Sequence, residues 1–369
     1  MSLLASALIR KIGTSCDLRY NLSWSYGGFI EDIPRRIGTN EALDTAVAAL
    51  VSAHSHFSSN SGSLTLVESL TKYSHALKAL RRYLDNPVRA RQSETLCGVM
   101  LLLICQSFLS THVGNRSSHG EGMAQILKAR AYYDRNDKFE ATLLLALRGP
   151  VLFEALVNSK ISFTPKEWRM IVENELDEDT PAALMMRCLA NVPNLIQRGR
   201  KALREQSGLQ MLVSETRCQY QRLTAILRDL HDHLEAAQEL SYNCHSETSL
   251  TMVHAHHQRM YGLGLIICII FNCILRALAG SNSGFDTDLD HFCENVLSLA
   301  VQAVIYRPLG AGYVTLCLTV AWCGCRDEAT RFKIERALDD YRMDITALSA
   351  ETFKADLEYA SRRLSLLEP

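Results

Sequence analysis

The chain is 369 residues long and 47% hydrophobic, and its 39 basic residues meet 40 acidic ones. That apolar content excludes a disordered polypeptide. The balanced charge excludes the global basic excess of a freestanding nucleic-acid binder. Eight prolines and nineteen glycines are too few to turn many short strands. The expected fold is therefore all-α, an irregular helical bundle or an α-solenoid-like stack of antiparallel helical hairpins.

At the N-terminus, the short apolar stretch Met1 to Ile9 is followed, not preceded, by the basic Arg10 and Lys11, the wrong order for a secretory signal. No acid precedes Asp17, which a mitochondrial presequence would share. Twelve cysteines are present, and Cys97, Cys105, Cys268, Cys273 and Cys317 lie inside apolar runs. Free thiols there behave as small hydrophobes, so a reducing intracellular compartment is the simpler expectation. Residues 1–19 are taken as an N-terminal segment that need not be ordered, and 20–369 as a single helical domain.

Leu70, Tyr73, Leu77, Leu80 and Leu84 recur at three- and four-residue spacing, an apolar stripe on a helix that stops at Asn86-Pro87. Glu94 to Leu109 is apolar nearly all round, as a helix surrounded by others should be. The pair reads as an antiparallel hairpin. Arg148-Gly149-Pro150 reads as a helix-breaking turn. Thr164-Pro165-Lys166-Glu167 is a capping box with proline at the first helical position. Thr180-Pro181 starts another helix after the acidic loop Glu173 to Asp179. Tyr220, Leu223, Leu227, Leu230, Leu234 and Ala237 form a long stripe that suits either the chain's own core or a homodimer. Leu263 to Leu275 is the most apolar run. It is shorter than the roughly 20 residues that cross a bilayer and predicts a buried core helix, with no membrane partner. Loops are expected at Ser58–Ser63, Gly114–Ser118, Asn243–Ser249 and Gly280–Gly284.

Several clusters invite a chemical reading. His254, His256 and His257, with Cys244, His245 and Glu247 nearby, resemble a metal cluster, yet no acid separates the histidines as a metalloprotease helix requires. Imidazoles lining a helix start are the commoner explanation. Cys323-Gly-Cys325 has one residue between thiols where redox and zinc motifs use two or more, so core packing after Trp322 is expected. Asp286, Asp288 and Asp290 alternate like a calcium loop but lack its glycine and its closing glutamate, which leaves a solvated loop before a helix around His291. Arg198, Arg200, Lys201 and Arg204, and likewise Arg81, Arg82, Arg89 and Arg91, fit charged helix faces in water better than phosphate sites. No nucleophile elbow, phosphate loop or dinucleotide fingerprint is present. No catalytic, cofactor-binding or metal-ligating residue is therefore assigned, and neither enzyme activity nor a cofactor is expected.

Five stretches in order carry a family resemblance. They are Pro34-Arg-Arg-Ile-Gly-Thr-Asn-Glu running to Ala53-His54, Tyr73 to Leu84 continuing through Asp85-Asn-Pro87 to Ser93-Glu-Thr-Leu, and His119 to Arg130. Leu147-Arg-Gly-Pro150 with Phe153-Glu-Ala-Leu and Glu167-Trp168-Arg169 follows, and then a weaker echo from Arg307-Pro-Leu-Gly310 to Asp327-Glu328 and Arg331. Over residues 20–345 the chain resembles the C-terminal regulatory domain of fungal zinc binuclear cluster transcription factors. The resemblance implies a nuclear regulator of transcription, commonly of a secondary-metabolite gene cluster. It implies a protein partner, either a DNA-bound transcription factor or the transcription machinery, and a small-molecule effector. Family members carry six cysteines in Cys-x2-Cys pairs that hold two zinc ions, whereas here Cys16 is the only cysteine in the first ninety-six residues. Thiolates at short spacing are needed to close such a site, so direct DNA binding is in doubt. Two alternatives stay open: a zinc cluster encoded upstream of a truncated gene model, and a regulator fold recruited as an enzyme or small-molecule binder. A deep pocket gathering His254, Arg148 and Glu154 would favour the last.

Overall fold

The computed structural model describes residues 2–12, 17–59, 63–109, 119–129, 137–157, 160–161, 163–164, 166–167, 180–243, 248–280, 283–344 and 350–366. It is 87% helical, with sixteen α-helices and no strand among the described residues. The all-α expectation is met. The chain clusters into two compact units, one of residues 1–171 with 345–348 and a second of 172–344 with 349–369.

The first unit contains α1 (Leu3–Ile12), the short α2 (Leu22–Tyr26) and α3 (Phe29–Asp32), α4 (Glu41–Ser59), α5 (Ser63–Leu84), α6 (Pro87–Ala90), α7 (Ser93–Leu109), α8 (His119–Ala129) and α9 (Lys138–Val157). Segment 1–19, expected to need no order, supplies α1, which packs on α4 and buries Ala5 and Leu8. Helix α4 is the centre of this unit because small residues dominate its buried faces. Ala42, Ala46, Ala49 and Ala53 alternate with Leu43, Val47 and Leu50, all fully buried. It packs against both α5 and α7, more extensively than those two pack against each other, so the expected hairpin is in fact a three-helix arrangement. Opposite Ala42, α7 carries Gly98, where a Cβ would lie 3.3 Å from the Ala42 carbonyl oxygen.

The stripe on α5 is rotated from the leucine pattern. Tyr73 and Leu80 are buried, but Ala76 and Ala79 share the inner face while Leu77 and Leu84 are exposed. The alanine-rich surface of α4 admits small residues and turns the larger ones to the rim. As expected, Asn86 ends the helix; its side chain then caps α6, accepting from the Val88 and Arg89 amides at 3.0 and 3.1 Å. Helix α7 is buried nearly all round. In contrast, Arg148-Gly149-Pro150 is no turn, because α9 runs through Pro150. The missing N–H of a proline interrupts one helical bond but does not end a helix whose flanks are held by packing, and Leu147, Val151 and Leu152 are fully buried. After α9 the capping box forms in both directions: the Thr164 amide donates to Glu167 at 2.6 Å and the Glu167 amide to Thr164 Oγ1 at 3.2 Å. Pro165 and the acidic loop 173–179 lie outside the described residues, as does the loop 114–118.

The second unit contains α10 (Pro181–Glu205), α11 (Leu209–Asn243), α12 (Thr248–Ala279), α13 (Ser283–Gln302), α14 (Tyr313–Gly324), α15 (Glu328–Arg342) and α16 (Ala350–Leu364). Thr180 caps α10, accepting from the Ala183 amide at 3.2 Å. The stripe from Tyr220 to Ala237 on α11 is buried at every position and faces α12 in the unit's most extensive helix contact. The chain's own core therefore uses this surface. Helix α12 is much longer than the run Leu263–Leu275. Its segment Leu250–Ala279, whose most apolar 18-residue window has a mean hydropathy of 2.2, has the length and composition to cross a membrane, but 83% of that window is buried inside the protein. Helices α10, α11, α13, α14 and α16 all touch it. Gly280, at φ +80°, ends α12 in the left-handed conformation that glycine adopts without steric cost.

Candidate functional site

The second unit holds a polar cleft of about 410 Å³ at the meeting of α11, α12 and α13. Its polar lining includes Arg228, His231 and Asp232 from α11, Tyr261 from α12, and Asp288 and His291 from α13. Local sequence explains the arrangement. On α11, Arg228 and His231 flank the buried Leu227 and Leu230, so they sit at the edge of the apolar stripe and point along the seam. On α13, Asp288, His291, Phe292 and Asn295 follow the three- and four-residue spacing that places them on one face, and all line the cleft. The His231 ring meets Tyr261 edge-on at 5.2 Å between centroids.

Beneath the cleft is a buried polar network. The Asn272 amide donates to Tyr220 Oη at 3.1 Å and to the Phe285 carbonyl at 2.9 Å. Tyr220 Oη in turn donates to Asp288 Oδ2 at 2.8 Å. Burial, reinforced by the neighbouring Asp288 carboxylate and opposed by the Asn272 hydrogen bond, pushes the Tyr220 hydroxyl well above the ordinary phenol value. It therefore stays protonated and holds Asp288 as an acceptor at the cleft wall. The cleft thus offers imidazoles, carboxylates and a guanidinium to a small polar ligand.

One group has the spacing of a cation site: the ligand atoms of His231, Asp232 and Glu235 lie within 4.8 Å of one another. His231 Nδ1 is 3.8 Å from Glu235 Oε1 one turn later. Both acids are exposed, and exposed acids near a histidine are ordinary on a helix face.

The histidines singled out by sequence do not converge. His254 Nδ1 is bonded to Tyr306 Oη at 2.9 Å, whereas His257 tilts onto His233 of α11 at 5.7 Å between centroids. Burial lowers the basicity of His254, His256 and His257, and neighbouring positive groups lower it further. Cys244, His245 and Glu247 lie outside the described residues. Asp286, Asp288 and Asp290 are not in a loop, because α13 begins at Ser283. Asp286 pairs with Arg276 at 3.2 Å and Asp288 with Tyr220, so these two serve separate contacts. In the α10 basic cluster, Arg198 grips Glu215 through two bonds of 3.0 and 2.6 Å. In the α5–α6 cluster, Arg82 binds Glu41 at 2.8 Å and Arg89 stacks over Tyr83. Of the trio that would have marked a recruited binding pocket, Arg148 and Glu154 belong to the first unit and His254 to the second.

Sequence reasoning missed Arg228, His231, Asp232 and Tyr261 as a group, and read Asp288 for the wrong chemistry. The available signal was the polar spacing at 288, 291 and 295 beside an otherwise apolar helix. Compared with family models, curated proteins and solved structures, the chain matches none.

Proposed function

We propose that the chain is a non-catalytic helical regulator of transcription that acts in the nucleus through a DNA-bound protein partner. The observation that supports this most is the ordered set of segments similar to the regulatory domain of zinc-cluster transcription factors. In the first unit these segments fall on α4, α5, α8 and α9, and the all-α architecture is the one the resemblance implies. No two of the twelve cysteines have the Cys-x2-Cys spacing, so contact with DNA is assigned to the partner. The regulated genes are proposed to be a secondary-metabolite cluster. Chromatin immunoprecipitation of the tagged protein tests the reading. Promoter enrichment that disappears when a zinc-cluster partner is deleted supports it; no enrichment, with unchanged transcripts in deletion and overexpression strains, sinks it. Transcript sequencing across the 5′ end separates this from a zinc cluster encoded upstream.

The cleft favours a second reading, that the chain binds a small polar molecule, either as the regulator's effector or as a stand-alone binder. Asp288 is held by Tyr220 and Asn272 as an acceptor, and His291 shares its face. Asp288→Asn and His291→Ala are each expected to weaken the affinity for a ligand found in a thermal-shift metabolite screen by about tenfold, the size of one or two lost polar contacts. Equal stabilisation in variants and parent would place the ligand elsewhere.

A further inference from the structure

Two cysteines from distant parts of the sequence meet in the second unit. Cys293 lies on α13 and Cys325 immediately follows α14. Both converge on one carbonyl, that of Ala321. The Cys293 thiol donates to it at 3.7 Å, and the Cys325 backbone amide caps α14 through it at 2.8 Å. The two thiols also act directly on each other's ionisation, and the Cys325 thiol itself donates to the Asp327 carbonyl at 3.5 Å. Neither is part of a disulfide. Cys325 begins the short connection to α15, and the next acid, Asp327, caps that helix by accepting from the Thr330 amide at 2.7 Å.

The chemistry of this pair differs from that of the other thiols. Burial pushes Cys97, Cys105, Cys268, Cys317 and Cys323 up, away from the reactive thiolate form. Cys325 moves the opposite way, chiefly through its interaction with the Cys293 thiol, although burial opposes the shift. Cys293 is correspondingly raised. A thiolate-forming sulfur beside a second thiol is the arrangement of a redox dithiol. Both cysteines are buried, but solvent comes within one turn of each. A cleft of about 310 Å³ is lined by Asp290, one turn before Cys293, and by Arg326 and Asp327, which follow Cys325.

We propose that Cys293 and Cys325 form a reversible dithiol–disulfide pair, oxidised by a hydroperoxide and reduced again by a dithiol. In the first step the Cys325 thiolate attacks a peroxide oxygen. The O–O bond breaks, an S–O bond forms, and hydroxide leaves to become water. In the second step the Cys293 sulfur attacks the resulting sulfenic acid. The S–O bond breaks, the S–S bond forms, and the proton from Cys293 leaves with a second water. In sum, two thiols and one hydrogen peroxide give one disulfide and two waters. The new bond fastens α13 to the α14–α15 junction.

Mapping oxidation sites on the reduced, full-length protein tests this. The protein is treated with a small excess of hydrogen peroxide, alkylated, and digested without reductant. Trypsin is unsuitable, because Pro308 follows Arg307 and no other basic residue separates Cys293 from Cys325 before Arg326. Chymotrypsin with a glutamate-specific protease cuts between them, and tandem fragmentation distinguishes Cys325 from Cys323. The expected product is a linked peptide joining Cys293 to Cys325, which dithiothreitol cleaves. Cys325→Ser abolishes it, and Cys293→Ser leaves a dimedone-trappable sulfenic acid on Cys325. Recovery of Cys293 and Cys325 as separate alkylated thiols, at a dose that oxidises the exposed Cys218, overturns the proposal. A link that joins Cys293 to Cys323 instead overturns it too. The parent protein alone decides between these outcomes, so a serine variant that fails to fold leaves the test intact.

Discussion

Arg36 shows how much one side chain organises in the first unit. Its guanidinium donates to Glu94 at 2.8 Å and to both Asp137 oxygens at 2.7 and 2.8 Å, and it lies over the Phe139 ring at 4.6 Å. It joins the start of α7 to the start of α9. Burial alone would raise the Asp137 carboxyl, but the hydrogen bonds and charge of Arg36 outweigh it and hold the group below the ordinary carboxylate value. A depressed folded value contributes stability that is present above the unfolded value and lost as pH falls through the folded one. The denaturation midpoint is therefore expected to fall as pH drops from about 5 towards 2, with a smaller drop for Arg36→Ala. At neutral pH that substitution should cost about 1–2 kcal/mol, the low side for charge-assisted bonds because solvent still reaches the pair. Urea titrations of both proteins across that range check both statements. In the second unit, Asn272→Ala removes the donor shared by Tyr220 and Phe285. A loss of roughly 1–3 kcal/mol is expected for leaving buried acceptors unmet, again read by urea denaturation. Neither residue could be singled out from the sequence. Arg36 stands beside Arg35 and Asn272 within an apolar run, and neither position reveals a polar network, which is defined by partners distant in the chain.

At the scale of elements, the legible features were those set by neighbouring residues. The caps at Thr164 and Thr180 and the stripe from Tyr220 to Ala237 formed as their spacing predicts, since a helix start or face is settled within a few turns. The misread ones depended on what packs opposite. Pro150 stays inside α9 because both flanks are buried, and the α5 stripe turns because α4 presents alanines. The α4–α7 crossing gives a test. Alanine normally improves on glycine inside a helix by roughly 0.5–1 kcal/mol. At Gly98 the added methyl would press on the Ala42 carbonyl at 3.3 Å, a backbone atom with no rotamer to escape into. Gly98→Ala is therefore expected to lower stability, by about 1–3 kcal/mol as for other overpacked cores. A rise in the thermal midpoint would show that α4 and α7 are free to separate.

For the whole molecule, fold class was readable from composition and periodicity, whereas the cleft was not. It is assembled from three helices whose polar residues look like ordinary exposed faces until the helices meet. The division into two compact units was also hidden, because no proline- or glycine-rich linker marks it. Charge at this scale carries a direct prediction. With 39 basic against 40 acidic residues and Arg82 and Arg198 held by acids, the chain has little to exchange for the counterions of DNA. Purified protein should leave duplex DNA unretarded in gel-shift assays at about 0.15 M salt. Retardation that weakens steeply with added salt would instead mean that the chain grips phosphates directly.

Helix α12 has a consequence for how the protein is made. Before α13 and α14 leave the ribosome, Leu250–Ala279 is a long greasy segment with only α10 and α11 available to cover it. To machinery that sorts nascent chains by hydropathy, it is indistinguishable from a membrane anchor. The buried stripe of α11, completed just before α12 is synthesised, is thus the segment's first shield. A charged substitution there, such as Leu227→Asp, should divert newly made protein to chaperones, membranes or aggregates rather than merely loosen the finished fold.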